Sequence, residues 1–333
     1  MSATGAPEWE PLPAAVSNNA VASLQTDRCL LLFSFMGIGE KKTYDAITRS
    51  AFALDTATGR WTALPPVPGG AGRLAASAAG IRGRVYLFGG YTVDAQGKEV
   101  TVGDVDIYDP VSHAWSRGTG IPVPVDDSVL GVYRERYVYL VSGWSQADNV
   151  HNVQVYDTRT DRWQQATPIP GRAVFGHAGA ALGNVIVYVD GAYRNPAGNK
   201  PRYVASDECW MGRIDRDDPA RIEWSRLPQH PGPARYRIAA GASPQGPRIY
   251  FSGGTGNPYN YDGVGYDGRP AEPVAITFAW NLGVGQWEMI HDPVPAPTMD
   301  HRGLLVTPFG LVRLGGMEAA QKVTRRVAVE PVR

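Results

Sequence analysis

The residues best suited to chemistry gather at a few recurring places in the chain. The densest is Asp300-His301-Arg302, which sets a carboxylate, an imidazole and a guanidinium side by side. A histidine titrates near neutrality, so His301 is a candidate general base. Glu318 follows it and is a candidate acid partner. His177, in the small-residue run Phe175-Gly176-His177-Ala178-Gly179, is a third candidate for proton transfer. Each also has a structural reading. Either histidine could be bonded to a loop carbonyl or held in the core, and Glu318 could be a solvated loop carboxylate.

Charged residues recur at comparable places: Arg73, Asp126 with Asp127, Arg172, Arg235, Arg237 and Arg302, with Asn18 and Asn19 as their neutral counterpart. Arginine forks suit planar carboxylates, so such a ring points to an anion or polyhydroxyl ligand. A single arginine could equally bridge two neighbouring parts of the scaffold. Tyr193, Tyr259 and Tyr261 add flat apolar faces on which a sugar ring could stack. The last two lie in the unusual segment from Asn257 to Gly268, which could instead pack on itself. Its Asp262-Gly263 and Asp267-Gly268 pairs hint at calcium, but the spacing lacks the EF-hand pattern and its closing glutamate.

A repeat must position these groups. Six short apolar runs each end in a small pair: Met36-Gly37, Gly89-Gly90, Ser142-Gly143, Asp190-Gly191, Gly253-Gly254 and Gly315-Gly316. After each of the first five come a loop, a second apolar run and one tryptophan: Trp61, Trp115, Trp163, Trp224 and Trp287. The period is roughly 50 to 60 residues. Each module reads as four short strands. Module two runs through Leu74 to Ala79, Val85 to Phe88, Val105 to Tyr108 and a strand holding Trp115, with an Asp109-Pro110 turn before the last.

The small pair, the Tyr-Asp at 108–109 and 156–157, and the tryptophan that follows resemble the kelch repeat over nearly the whole chain. The resemblance implies an all-β, six-bladed β-propeller with blades near 14–68, 69–122, 123–170, 171–231, 232–295 and 296–333. The sixth module lacks its tryptophan strand, and Glu8-Trp9-Glu10-Pro11-Leu12-Pro13 matches Gly59 to Pro65. Residues 7–13 are therefore expected to complete the last blade and close the ring, leaving few exposed edges. The long insertions at 91–103, 144–152, 193–206 and 255–273 all fall between second and third strands. They share one face with the inter-blade linkers, where binding residues are expected.

The chain is similar in size and architecture to the bacterial N-acetylneuraminate epimerases. That implies a metal-independent mutarotase or epimerase acting on a sugar or sugar acid in the axial funnel, with no cofactor. The alternative is a non-catalytic propeller that binds a glycan or a protein partner. Galactose oxidase shares kelch blades but needs copper ligands and a Tyr-Cys crosslink, for which no matching set exists here.

Composition narrows the classes further. With 32 basic and 32 acidic residues the net charge is zero, which argues against nucleic acid as partner. No apolar run reaches the length of a membrane span, and the first residues lack the pattern of a signal peptide. Cys29 and Cys209 fall in modules one and four, too far apart for a disulfide, and form no zinc pattern. Cys29, opening an apolar run, is expected to be a buried free thiol.

Overall fold

A computed structural model describes residues 7–198 and 200–332. The second strands show why the chain prefers sheet. Val185–Val189 is Val-Ile-Val-Tyr-Val and buried along its whole length, as befits a strand covered on both faces. Five modules form four-stranded antiparallel sheets in sequence order. The sixth forms a three-stranded sheet of Leu305–Thr307, Gly310–Leu314 and Val327–Glu330. The first strands Ala20–Gln25, Ser77–Ile81, Val129–Tyr133, Ala178–Leu182, Ala239–Ala242 and Leu305–Thr307 touch one another in cyclic order. They therefore surround the axis, and the molecule is a six-bladed β-propeller.

The core lies between blades rather than within one. Phe33 and Phe35 of blade one pack with Val85, Leu87 and Tyr108 of blade two, and Trp115 covers them. Each repeat tryptophan also fastens its blade to the one before. Trp115 Nε1 donates to Pro65 O at 2.9 Å, Trp163 to Thr119 O at 2.7 Å and Trp287 to Pro228 O at 2.8 Å. The expected aspartate turns are present: Asp55 and Asp109 accept from the amides of Ala57 and Val111, two residues on.

The second glycine of each small pair is fixed by close approach. Gly90 has φ of 92°, and a Cβ there would lie 2.6 Å from Leu74 O in the linker entering its own blade.

Residues 7–13 lie across the seam between blades six and one. Leu12 N donates to Arg325 O at 2.9 Å, and Trp9 packs edge-on against Phe309. Glu10 N donates to Gly59 O, and Trp61 Nε1 donates to Glu10 O at 2.9 Å, the same fastening that the other tryptophans make. The segment is extended without a regular ladder to blade six, because its amide at Glu10 is turned toward blade one. Both cysteines are free, and Cys29 is half-exposed rather than buried because it sits at the turn closed by Thr26.

Candidate functional site

Each linker enters its inner strand through one residue of left-handed conformation. These are Asn18, Ala75, Asp127, Gly176, Arg237 and Asp300, with φ between 49° and 69°. Backbone hydrogen bonds pass from blade to blade around them: Asp127 N to Ala75 O, Gly176 N to Asp127 O, Arg237 N to Gly176 O and Asn18 N to Asp300 O. In each case the residue before it pairs with the residue just after the small pair, as Asp126 does with Trp144. The repeat thus builds a collar around the axis and hangs the long loops from it. Gly176 must be glycine, since a Cβ would come within 2.0 Å of the Tyr236 ring.

The collar side chains form a charged plug across the axis. Arg237 donates from Nη2 to Asp127 Oδ2 at 2.7 Å and from Nη1 to Asp300 Oδ1 at 2.8 Å. Its Nη1 also donates to Asn260 O at 2.6 Å. Arg302 donates to Asp127 Oδ1 at 2.7 Å and to Ser128 O at 2.8 Å. Asp300 is further held by Ser17 Oγ and Asn18 Nδ2. Burial pushes the Asp127 carboxyl up, but Arg237 and Arg302 outweigh it and hold the group below the usual range.

The plug divides the axis into two cavities. One, of about 370 Å³, is the channel between the inner strands; His177, His301 and Arg302 lie on its wall among small apolar residues. The other, of about 260 Å³, opens among the long loops. Asp127 and Arg237 line it together with Asp126, Glu99, Arg202 and Asn260. Trp144, Phe175 and Tyr203 add an aromatic wall, with Tyr203 and Tyr266 centroids 4.7 Å apart. Asp126 accepts from Thr101 Oγ1 at 2.7 Å. Burial, reinforced by the charge of Asp127 next to it, lifts the Asp126 carboxyl well above the ordinary carboxylate range. Glu99 is exposed at the mouth and holds Asn260 Nδ2.

The Kelch motif profile matches residues 72–120, which span blade two from its linker to its tryptophan strand. Blade two thus carries a Kelch motif, and the chain is similar to the kelch-repeat β-propellers. The chain is 31% identical to Kelch-like protein 15 of Gallus gallus over 35% of its length and 23% of that protein's. It is 28% identical to Kelch-like protein terF of Aspergillus terreus over 62% of its length and 46% of that protein's. Kelch domain-containing protein 3 of Homo sapiens is also 28% identical, over 59% of this chain and 51% of that protein. The chain therefore matches about half or less of these relatives. The solved structure of YjhT has the same fold, with a TM-score of 0.75 at 19% identity, covering 96% of this chain and 95% of that one.

The propeller distributes the residues singled out in its sequence over several places. Asp127 and Arg237 meet at the floor of the loop-face funnel, and His177, His301 and Arg302 lie on the channel side of the plug. His301 Nε2 is 2.8 Å from Thr298 Oγ1, and His177 Nε2 is 2.9 Å from Val141 O. Burial pushes both imidazoles down to about 3; the Arg302 charge adds to this at His177 and that of Arg313 at His301. Neither is suited to take a proton near neutrality. Glu318 is not joined to His301, because Thr324 Oγ1 and the Arg326 guanidinium hold its carboxylate.

Arg73 and Arg235 do not line the funnel. Arg73 is held in blade two by Asp106, and Arg235 donates to Gly253 O while stacking on Phe278. Arg172 and Tyr193 stack on each other, 4.6 Å from guanidinium carbon to ring centroid, with Arg172 exposed. Tyr259 is fully buried against Tyr236, and Tyr261 packs on Ile38, Leu74 and Tyr91. The two Asp-Gly carboxylates serve their own loop: Asp262 accepts from Val264 N, and Asp267 from Arg269 N and Asn257 Nδ2.

Glu99, Trp144, Tyr203 and Tyr266 carry no individual signal in the sequence, although all lie in the long insertions at 91–103, 144–152, 193–206 and 255–273. Their common signal is their place between second and third strands. Among the described residues, Asp190, Cys209 and His230 bring three potential metal-ligand atoms within 4.8 Å of one another. Their own bonds close this set. His230 Nε2 meets Asp190, its Nδ1 meets Pro231 O, and burial pushes the Cys209 thiol up to about 12.

Proposed function

We propose that the protein binds a small carbohydrate in the loop-face funnel and interconverts its ring forms, as a mutarotase does. The observation that carries this reading is a pair of carboxyl groups in contrasting surroundings on one aromatic-walled cavity: Asp126 is buried and Glu99 is exposed. Two carboxyl groups set apart by environment are a recurrent source of one acid and one base. Asp126, kept protonated, donates to the ring oxygen. Glu99 takes the proton of the anomeric hydroxyl, the bond from anomeric carbon to ring oxygen breaks, and a carbonyl forms. Reclosure on the other face returns both protons. Trp144 and Tyr203 offer the flat surfaces on which a sugar ring rests. These roles replace the pairing of His301 with Glu318.

The test is an exchange NMR screen of galactose, glucose, fucose, sialic acid and uronic acids, with and without protein. Faster anomer interconversion for at least one sugar is expected. Shift changes without faster exchange would leave a binding module only, and no effect from any sugar would overturn the reading.

A further inference from the structure

Resting on that reading of the funnel, we infer that it selects uncharged sugars and rejects sugar acids. A sugar carboxylate entering the cavity needs a guanidinium with a free edge, since burying a carboxylate without a partner is costly. The floor offers none. Arg237 is 1% exposed, and its fork is already engaged by Asp127, Asp300 and the Asn260 carbonyl. Arg302 does not line the funnel; it lies on the channel side, with Nη1 on Asp127 and Nη2 on the Ser128 carbonyl. The arginines and aspartates of the plug match two for two, so no positive charge is left over.

The remaining charged or acidic groups on the cavity favour a neutral guest. Asp126 and Glu99, both carboxyl-bearing, line it. Arg202 is the one lining cation without a carboxylate partner among the described residues. It sits exposed at the rim, 5.2 Å over the Tyr203 ring, where water screens it. Hydroxyl groups suit this lining better. Each can donate to a carboxylate oxygen or accept from a protonated one, and the apolar face of the ring lies on the aromatic wall. The abundance of arginine near the axis is therefore misleading as a guide to ligand charge, because the arginines are consumed in holding blades three, five and six together.

Matched pairs test this directly. Galactose against galacturonic acid, and glucose against glucuronic acid, differ only by a hydroxymethyl and a carboxylate. Calorimetric titration is expected to show the hexose binding tighter by at least about tenfold. A uronic acid that binds as well as or better than its hexose would overturn the selectivity while leaving carbohydrate binding intact. If no member of either pair binds, the carbohydrate reading falls and the selectivity with it. The variant Glu99→Gln keeps the shape and removes the exposed charge; with an unchanged melting temperature it is expected to gain uronate affinity and narrow the gap. A gap that does not move would overturn the electrostatic account.

Discussion

Arg237 of blade five and Asp127 of blade three, which are not neighbours in the ring, are joined across the propeller axis by contacts of 2.7 and 3.2 Å. Both residues are about 1% exposed. A buried pair of this kind is not a large net source of stability, but removing one partner strands the other charge. Here Arg237 serves two aspartates, so its loss leaves Asp300 without a cation and Asp127 with Arg302 alone. Arg237→Met is therefore expected to destabilise the protein by about 3–5 kcal/mol. Denaturant unfolding measures this, and a loss below about 1 kcal/mol would mean the plug is solvated or dispensable.

Asp126 gives the pH dependence of the proposed chemistry. Its carboxyl is raised, so the acid form persists upward from the ordinary carboxylate range and is lost as pH rises through the folded-state value. The exchange rate should fall on the alkaline side. Asp126→Asn should lose about 10²–10⁴ of the rate, and with it the alkaline limb. Glu318→Gln should leave the rate unchanged, since Thr324 and Arg326 hold that carboxylate. A rate carried by Glu318 and indifferent to Asp126 would reverse the assignment.

The two buried histidines predict the acid side of stability. Each has its pKa lowered from 6.5 to about 3, so the unfolded chain binds a proton before the folded one does. Their contribution is complete above the unfolded value and is lost as pH falls from 6.5 toward 3. In that window each histidine adds a slope of about 1.4 kcal/mol per pH unit. Replacing both by glutamine should flatten the stability profile there relative to the parent. Identical profiles would show that the imidazoles protonate in the folded state.

Leu12 reports on ring closure. It is 0% exposed and packs with Val16, Val21, Leu54 and Leu305 at the seam of blades six and one. Leu12→Ala is expected to cost about 2–5 kcal/mol. Deleting residues 1–13 should lower the melting temperature further, and an unchanged melting temperature would mean that the seam holds without this segment.

The fold was legible because its signal is repeated. Gly37, Gly90, Gly143, Gly191, Gly254 and Gly316 all have positive φ where the linker or inner strand of the same blade presses close, so the chain states the same backbone requirement six times. The site was legible only in outline. The collar positions hold an asparagine, an alanine, two aspartates, a glycine and an arginine; Ala75 and Gly176 have no polar side chain to betray the register. That His301 is sealed in, or that Arg237 has no free edge, depends on which blade lies opposite, and no local stretch of sequence encodes that. The cavity wall likewise combines Glu99, Trp144, Tyr203 and Tyr266 from four separate insertions.

The collar has one more consequence. It is held mostly by main-chain groups, so positions such as Ala75, Asp127 and Arg237 work like sockets in a common mount, whereas Gly176 is closed to other residues by the Tyr236 ring and Asn18 itself bonds Ala75 N through its side chain. Arginine and alanine occupy two of them despite a conformational penalty of about 1–2 kcal/mol. A propeller of this design can therefore exchange the groups at its axis one blade at a time, and the identity of its ligand can drift while its architecture does not.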